Sequence, residues 1–147
     1  YLLLKLFLFL NFVSYQLLNI PILFVYHLPN HLVNLYKDFI RPFLPESRVY
    51  HHTPDTKEAR KNGNVIIEVA SSDSAKGAVG VFNVSFSGEK QVKFTPKGID
   101  ASKNYLIYFD NSRTSVEMSG VSIMQNGINL KLSASLSSEL VLYKVID

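Results

Sequence analysis

The chain has 147 residues and a formal net charge of +3, from 15 Lys and Arg against 12 Asp and Glu. That length holds one domain with an appendage, and a hydrophobic fraction of 47% excludes disordered, collagenous and mucin-like classes. The absence of Cys excludes a disulfide scaffold, a thiolate zinc or iron–sulfur site and a Cys nucleophile, and without a long Lys/Arg run no nucleic-acid partner is expected.

Residues 1–29 read as an apolar segment. Between Tyr1 and Tyr26 the single charged residue is Lys5. A membrane anchor fits, since about 20 apolar residues span a bilayer. So does a buried helix of a larger protein, and so does a product of A/T-rich DNA read out of frame, given the Leu, Phe, Ile, Asn and Lys content. A cleaved signal peptide fits less well, because no basic cluster precedes the run and no small-residue cleavage site is evident. A membrane partner is expected only if 1–26 is a genuine anchor.

Residues 30–45 are predicted to form an amphipathic helix. Leu32, Leu35, Tyr36, Phe39, Ile40 and Phe43 recur at helical spacing. Asn30 is a candidate N-cap, and Pro42 and Pro45 end the pattern because proline lacks the N–H and its ring collides with the preceding turn. Residues 46–62 carry many charges and read as a linker, with one short extended piece around Arg48–His51.

From Gly63 to Asp147 the period changes to two. Strands are predicted over Asn64–Ala70, Ala78–Ser85, Lys90–Thr95, Tyr105–Phe109, Ser115–Met118, Ile128–Leu132 and Glu139–Val145. Ile128, Leu130 and Leu132 alternate with Asn129 and Lys131, as Val92 and Phe94 do with Lys93 and Thr95. Turn signals at Ser87-Gly88, Pro96-Lys97-Gly98, Asp110-Asn111 and Asn126-Gly127 separate the runs. The fold class is mainly β, an antiparallel sandwich of about seven strands. So small a sandwich buries a modest core and gains from docking against a neighbouring domain.

The residues that could carry chemistry are dispersed. His27 and His31 share a helix face if the helix reaches that far, whereas the adjacent His51 and His52 point to opposite faces of an extended segment. No carboxylate sits at a supporting spacing in the helix, so no metal or cofactor site is expected. Glycosidase chemistry needs two carboxylates at a defined separation. Asp38, Asp55, Glu58, Glu68, Asp73, Glu89, Asp100, Asp110, Glu117, Glu139 and Asp147 are instead spread one per element, which predicts solvated positions. No G-x-S-x-G elbow, dinucleotide fingerprint or P-loop occurs, and Gly77, Gly80 and Gly88 read as turn or bulge residues. Phe82, Phe86, Tyr105, Tyr108, Phe109 and Tyr143 would make a sugar-stacking platform if exposed together. Core packing is the expectation, with Tyr105 and Phe109 on one side of their strand and Tyr108 on the other.

Leu35–Pro54 reads LYKDFIRPFLPESRVYHHTP. It resembles the junction in family 36 glycoside hydrolases, the α-galactosidase group, where the last barrel helix passes into a C-terminal sandwich. GVFNVSFSGEKQVKFTPKGIDASKNYLIYFDNS continues the resemblance, with its turn at Gly98-Ile99-Asp100 and Tyr105. Ser119-Gly120, Ile123-Met124-Gln125-Asn126-Gly127-Ile128 and Ser138-Glu139-Leu140 resemble the family's closing strands. The resemblance runs from about Leu32 to the end.

In that family the nucleophile and the acid/base lie on barrel strands that precede this region. None of those motifs occurs here, so no catalytic residue is assigned. The resemblance implies a non-catalytic C-terminal module that packs against a catalytic barrel absent from this chain, with the 30–45 helix closing the barrel wall. The alternative is a membrane-anchored sandwich that binds carbohydrate or protein through exposed aromatics.

Overall fold

The computed structural model describes residues 30–53, 63–84, 90–132 and 137–147. The apolar segment 1–29, the second part of the expected linker (54–62) and the Ser87-Gly88 turn lie outside these residues.

Helix α1 spans Asn30–Leu35. The chain then widens into a π turn over Tyr36–Ile40, closed by the Arg41 N–H donating to the Tyr36 carbonyl, and tightens into a 3-10 turn over Arg41–Glu46. The widening immediately precedes Pro42, which has no N–H to continue an α-helical ladder and whose ring crowds the preceding turn. The predicted helix is therefore present as three short helical pieces.

Eight strands and one further helix follow among the described residues: β1 Ser47–His51, β2 Asn64–Ser71, β3 Lys76–Asn83, β4 Lys90–Phe94, β5 Asn104–Phe109, β6 Thr114–Ser119, α2 Gly120–Asn126, β7 Ile128–Leu132 and β8 Ser138–Ile146. All seven predicted strands are present. The eighth, β1, is the short extended piece expected near Arg48–His51; it pairs with β2 from Ser47 opposite Ser71 to His51 opposite Ile67. Helix α2 was not expected. Its two turns are too short to show a period, and it is set by its ends: the Ser119 hydroxyl accepts from the Ser122 N–H, and Gly127 leaves it at φ +68°.

The fold is a mainly β sandwich. One antiparallel sheet has the order β1-β2-β3-β8-β5-β6, and β4 and β7 form a two-stranded ribbon. The inner face of the large sheet meets the ribbon. Ile66, Val79, Val81, Tyr105, Ile107, Val141 and Tyr143 pack there with Val92, Phe94, Ile128 and Leu132. The outer face is covered by the helical segment. Phe43 and Leu44 lie against Ile67, Val69 and Phe82, while Ile40, with Leu35 and Phe39, lies against Ala78 and Leu142. Strands β2 and β3 are thus buried on both sides, which is why they read as near-continuous apolar runs.

Candidate functional site

Among the described residues the histidines do not converge. His27 lies outside the described residues. His31, at the start of α1, places Nε2 2.5 Å from Asp110 Oδ1 in the β5–β6 turn. His51 is exposed, and His52, on the other face, turns inward onto Glu68. Among the described residues no three His, Asp or Glu side chains gather as metal ligands.

Two carboxylates depart from the expectation of solvated positions. Asp110 is 6% exposed and Glu68 is 0% exposed. Glu68 lies on β2 between Ile66 and Ala70, so the two-residue period of the strand aims it into the core. An uncompensated charge there would be prohibitively costly. Four donors satisfy it. Oε1 accepts from the Gly98 N–H at 2.8 Å and the Tyr143 hydroxyl at 2.7 Å, and Oε2 accepts from the Lys97 N–H at 2.7 Å and His52 Nε2 at 2.7 Å. Burial pushes the Glu68 carboxyl pKa up, and these hydrogen bonds, led by His52, outweigh it and hold the group below its ordinary value. An ionised carboxylate only accepts, so the proton of this contact sits on His52 Nε2.

The same corner holds Tyr143 and Tyr105, both 0% exposed. Their rings meet edge to face, with centroids 5.8 Å apart. Burial, reinforced by the adjacent Glu68 charge, pushes the Tyr143 phenol well above its usual range. Tyr105 donates to the Ser74 carbonyl at 2.8 Å and accepts from the Asp100 N–H at 2.9 Å, and burial raises its pKa as well. The Gly98-Ile99-Asp100 turn and Tyr105, singled out in sequence, are therefore physically joined. Tyr105 and Tyr143 are core residues, and Tyr108 packs on the opposite side of the sheet near Leu142.

The remaining described carboxylates hold turns or face water. Asp73 is lowered by hydrogen bonds from the Ser71 hydroxyl and the Ala75 N–H, and Asp100 by those of Ser102. Glu139 accepts from the Asn111 and Leu140 N–H groups, while Asp38 and Glu117 are exposed. Sequence reasoning missed Glu68; the signal that could have found it is its place as the single charge inside NVIIEVA, a run too apolar to leave a carboxylate at the surface. Beside His52 the protein opens a cleft of about 600 Å³ at the β4 side of the sandwich.

Neither a protein-family model nor a curated protein sequence matches the chain. Solved structures match in fold. One is the GH36 alpha-galactosidase AgaA from Geobacillus stearothermophilus, solved in complex with raffinose, at a TM-score of 0.60 and 18% identity. Another is the galactosidase domain of the alpha-galactosidase-sucrose kinase AgaSK, at a TM-score of 0.59 and 13% identity. Each likeness covers 79% of this chain and 15% of the other. The fold of this chain is that of one small part of a family 36 α-galactosidase, in agreement with the resemblance carried by Leu35–Pro54 and the Gly98–Asp100 turn.

Proposed function

We propose that the chain is a non-catalytic module of a family 36-like glycoside hydrolase, packing against and stabilising a catalytic barrel carried outside this sequence. The observation that carries this reading is the unequal coverage: the likeness takes in 79% of this chain and only 15% of an α-galactosidase. The carboxylate chemistry agrees with it. Glu68 has four donors fixed around it in a closed core, which suits a structural anchor and leaves no room for a sugar. In this reading the helical segment acts as a strap. Its apolar residues lie on the sandwich, so it ties the sandwich to the preceding barrel instead of inserting those residues into the barrel wall. Among the described residues, Val116 on β6 and Val121 and Met124 on α2, between 42% and 47% exposed, are apolar side chains that would meet the barrel, with Tyr36 and Val49 the other exposed large apolar residues.

Reading the transcript upstream of the Tyr1 codon, in all three frames, tests the proposal. A barrel-sized coding region with paired Asp motifs, joining near Leu32, is the expected result. A start codon just upstream of Tyr1 in the same frame would overturn it. The 147-residue chain alone is expected to release no nitrophenol from nitrophenyl α-galactoside.

A further inference from the structure

We propose that two copies of this chain pair through the β6 edge, joining their large sheets into one across a two-fold axis that passes between the two Val116 residues. β6 ends the sheet order, and among the described residues no strand lies beyond it. The direction of its backbone groups follows from the ladder. The Asp110 N–H donates to the Leu140 carbonyl of β8, so by alternation Phe109, Ile107 and Tyr105 turn their groups towards β6. Thr114, Val116 and Met118, opposite them, turn theirs back to β5, as Gly120 does in donating to the Lys103 carbonyl. The N–H and C=O groups of Ser115 and Glu117 therefore point away from the sheet, where a further strand can bond them.

Charge and conformation select the register. An antiparallel two-fold pair can be centred on Ser115, Val116 or Glu117. Centring on Glu117 sets two carboxylates directly opposite each other, which is destabilising. Centring on Ser115 needs Arg113 in the ladder, and Arg113, at φ +54°, is in the left-handed region and not extended. Centring on Val116 opposes Ser115 to Glu117 and Thr114 to Met118 of the second copy, all within β6 and with no like charges opposed. Val116, 42% exposed, then faces its own copy in a non-hydrogen-bonded pair, where side chains approach most closely.

The edge is also complementary in charge to itself. Arg113 stands just before the strand and Glu117 near its end, both exposed, and neither forms an ion pair among the described residues. Antiparallel pairing brings the Arg113 end of each copy beside the Glu117 end of the other, a diagonal that a long side chain spans. This self-complementarity names a second copy as the occupant. Of the apolar residues assigned to the barrel contact the pairing takes only Val116; Val121 and Met124 lie on α2, outside the paired run.

Sedimentation equilibrium of the full chain, carried on a monomeric soluble fusion partner, tests the pairing. A reversible monomer–dimer equilibrium is expected. Glu117→Pro removes an outward N–H and spares the β5 ladder, because an edge strand tolerates proline where its N–H side faces solvent. It should weaken dimerisation roughly tenfold or more. Ser115→Glu sets a carboxylate opposite Glu117 and should weaken it too; adding Glu117→Lys puts opposite charges there and should restore it. Only the register centred on Val116 predicts that rescue. A monomer at every concentration, or a dimer unchanged by both Glu117→Pro and Ser115→Glu, would overturn the proposal. Protection of the Glu117 amide from exchange in such a monomer would place another segment of the chain on the edge instead.

Discussion

Tyr143 and Glu68 stand 75 residues apart in the chain and meet through a 2.7 Å hydrogen bond in the core. Glu68 accepts from β8 through Tyr143, from the chain after β4 through Lys97 and Gly98, and from the end of β1 through His52, so one carboxylate ties three separate parts of the sandwich to β2. Tyr143→Phe removes one of four donors and keeps the ring packing. It should cost about 1–3 kcal/mol, the range for leaving a buried polar group short of a partner. Glu68→Leu strands all four donors and should cost more, on the order of 3–5 kcal/mol. Urea denaturation of both variants decides the matter. Equal, small losses would show that the network contributes little.

The same network sets a pH dependence with a defined sign. The Glu68 carboxyl is held below its unfolded value, so its stabilisation is fully present above the ordinary Glu pKa of about 4.3 and is lost as pH falls through the folded value. Tyr143 is shifted the other way. Its stabilisation is present below the ordinary Tyr pKa of about 10 and declines as pH rises above that. Thermal unfolding followed from pH 3 to pH 11 should show both limbs. Glu68→Gln should flatten the acid limb, and Tyr143→Phe the alkaline one. An acid limb unchanged by Glu68→Gln would assign it to other carboxylates.

Much of the sandwich was legible in sequence because alternation has a local cause. Val92 and Phe94 face the core and Lys93 faces water, and the strand period states as much directly. The partner of each strand was not legible. β8 sits between β3 and β5, and nothing local to Ser138–Ile146 names those neighbours. The amphipathic pattern of 30–45 showed that one helix face is buried but could not say against what; the structure supplies Ala78 and Leu142. Dispersal of acids along the chain suggested a solvated set, and it failed for Glu68 because burial follows from the strand period and the apolar run around a residue.

Tight packing around Tyr143 gives a third prediction. A Cβ built on Gly77 would overlap the Tyr143 ring, and the ring is fully buried and has nowhere to move. Gly77→Ala should therefore cost about 1–3 kcal/mol as overpacking. In a Tyr143→Leu background, where the colliding ring atoms are gone, the same change should be nearly neutral. A double-mutant cycle on the equilibrium stabilities measures this coupling, and purely additive losses would contradict it.

Two of the contacts that fix the helical segment to the sandwich differ in magnitude. Ile40 is 7% exposed and packs with Ala78 and Leu142, so Ile40→Ala should cost about 2–5 kcal/mol. His31 pairs with Asp110, but its side chain is 60% exposed, so solvent screens the pair. His31→Ala should cost no more than about 1 kcal/mol. Hydrogen exchange over residues 30–46 separates the two. Faster exchange is expected in Ile40→Ala and near-native protection in His31→Ala. The reverse ranking would make the ion pair the main tether.

The exposed apolar side chains at the β6–α2 end bear on how the chain behaves alone. Val116, Val121 and Met124 are between 42% and 47% exposed, and β6 ends the sheet order with no strand beyond it among the described residues. Apolar side chains beside an unpaired strand edge favour association. The isolated chain should be poorly soluble or self-associate. Replacing Val121 and Met124 by Lys removes the α2 part of this surface without touching a buried residue. Light scattering during size-exclusion chromatography should show the double variant more nearly monomeric than the parent at equal concentration. A parent made from residues 30–147 that runs as a soluble monomer would count against the idea that this surface is built to be covered, and with it against the packing role proposed for the module.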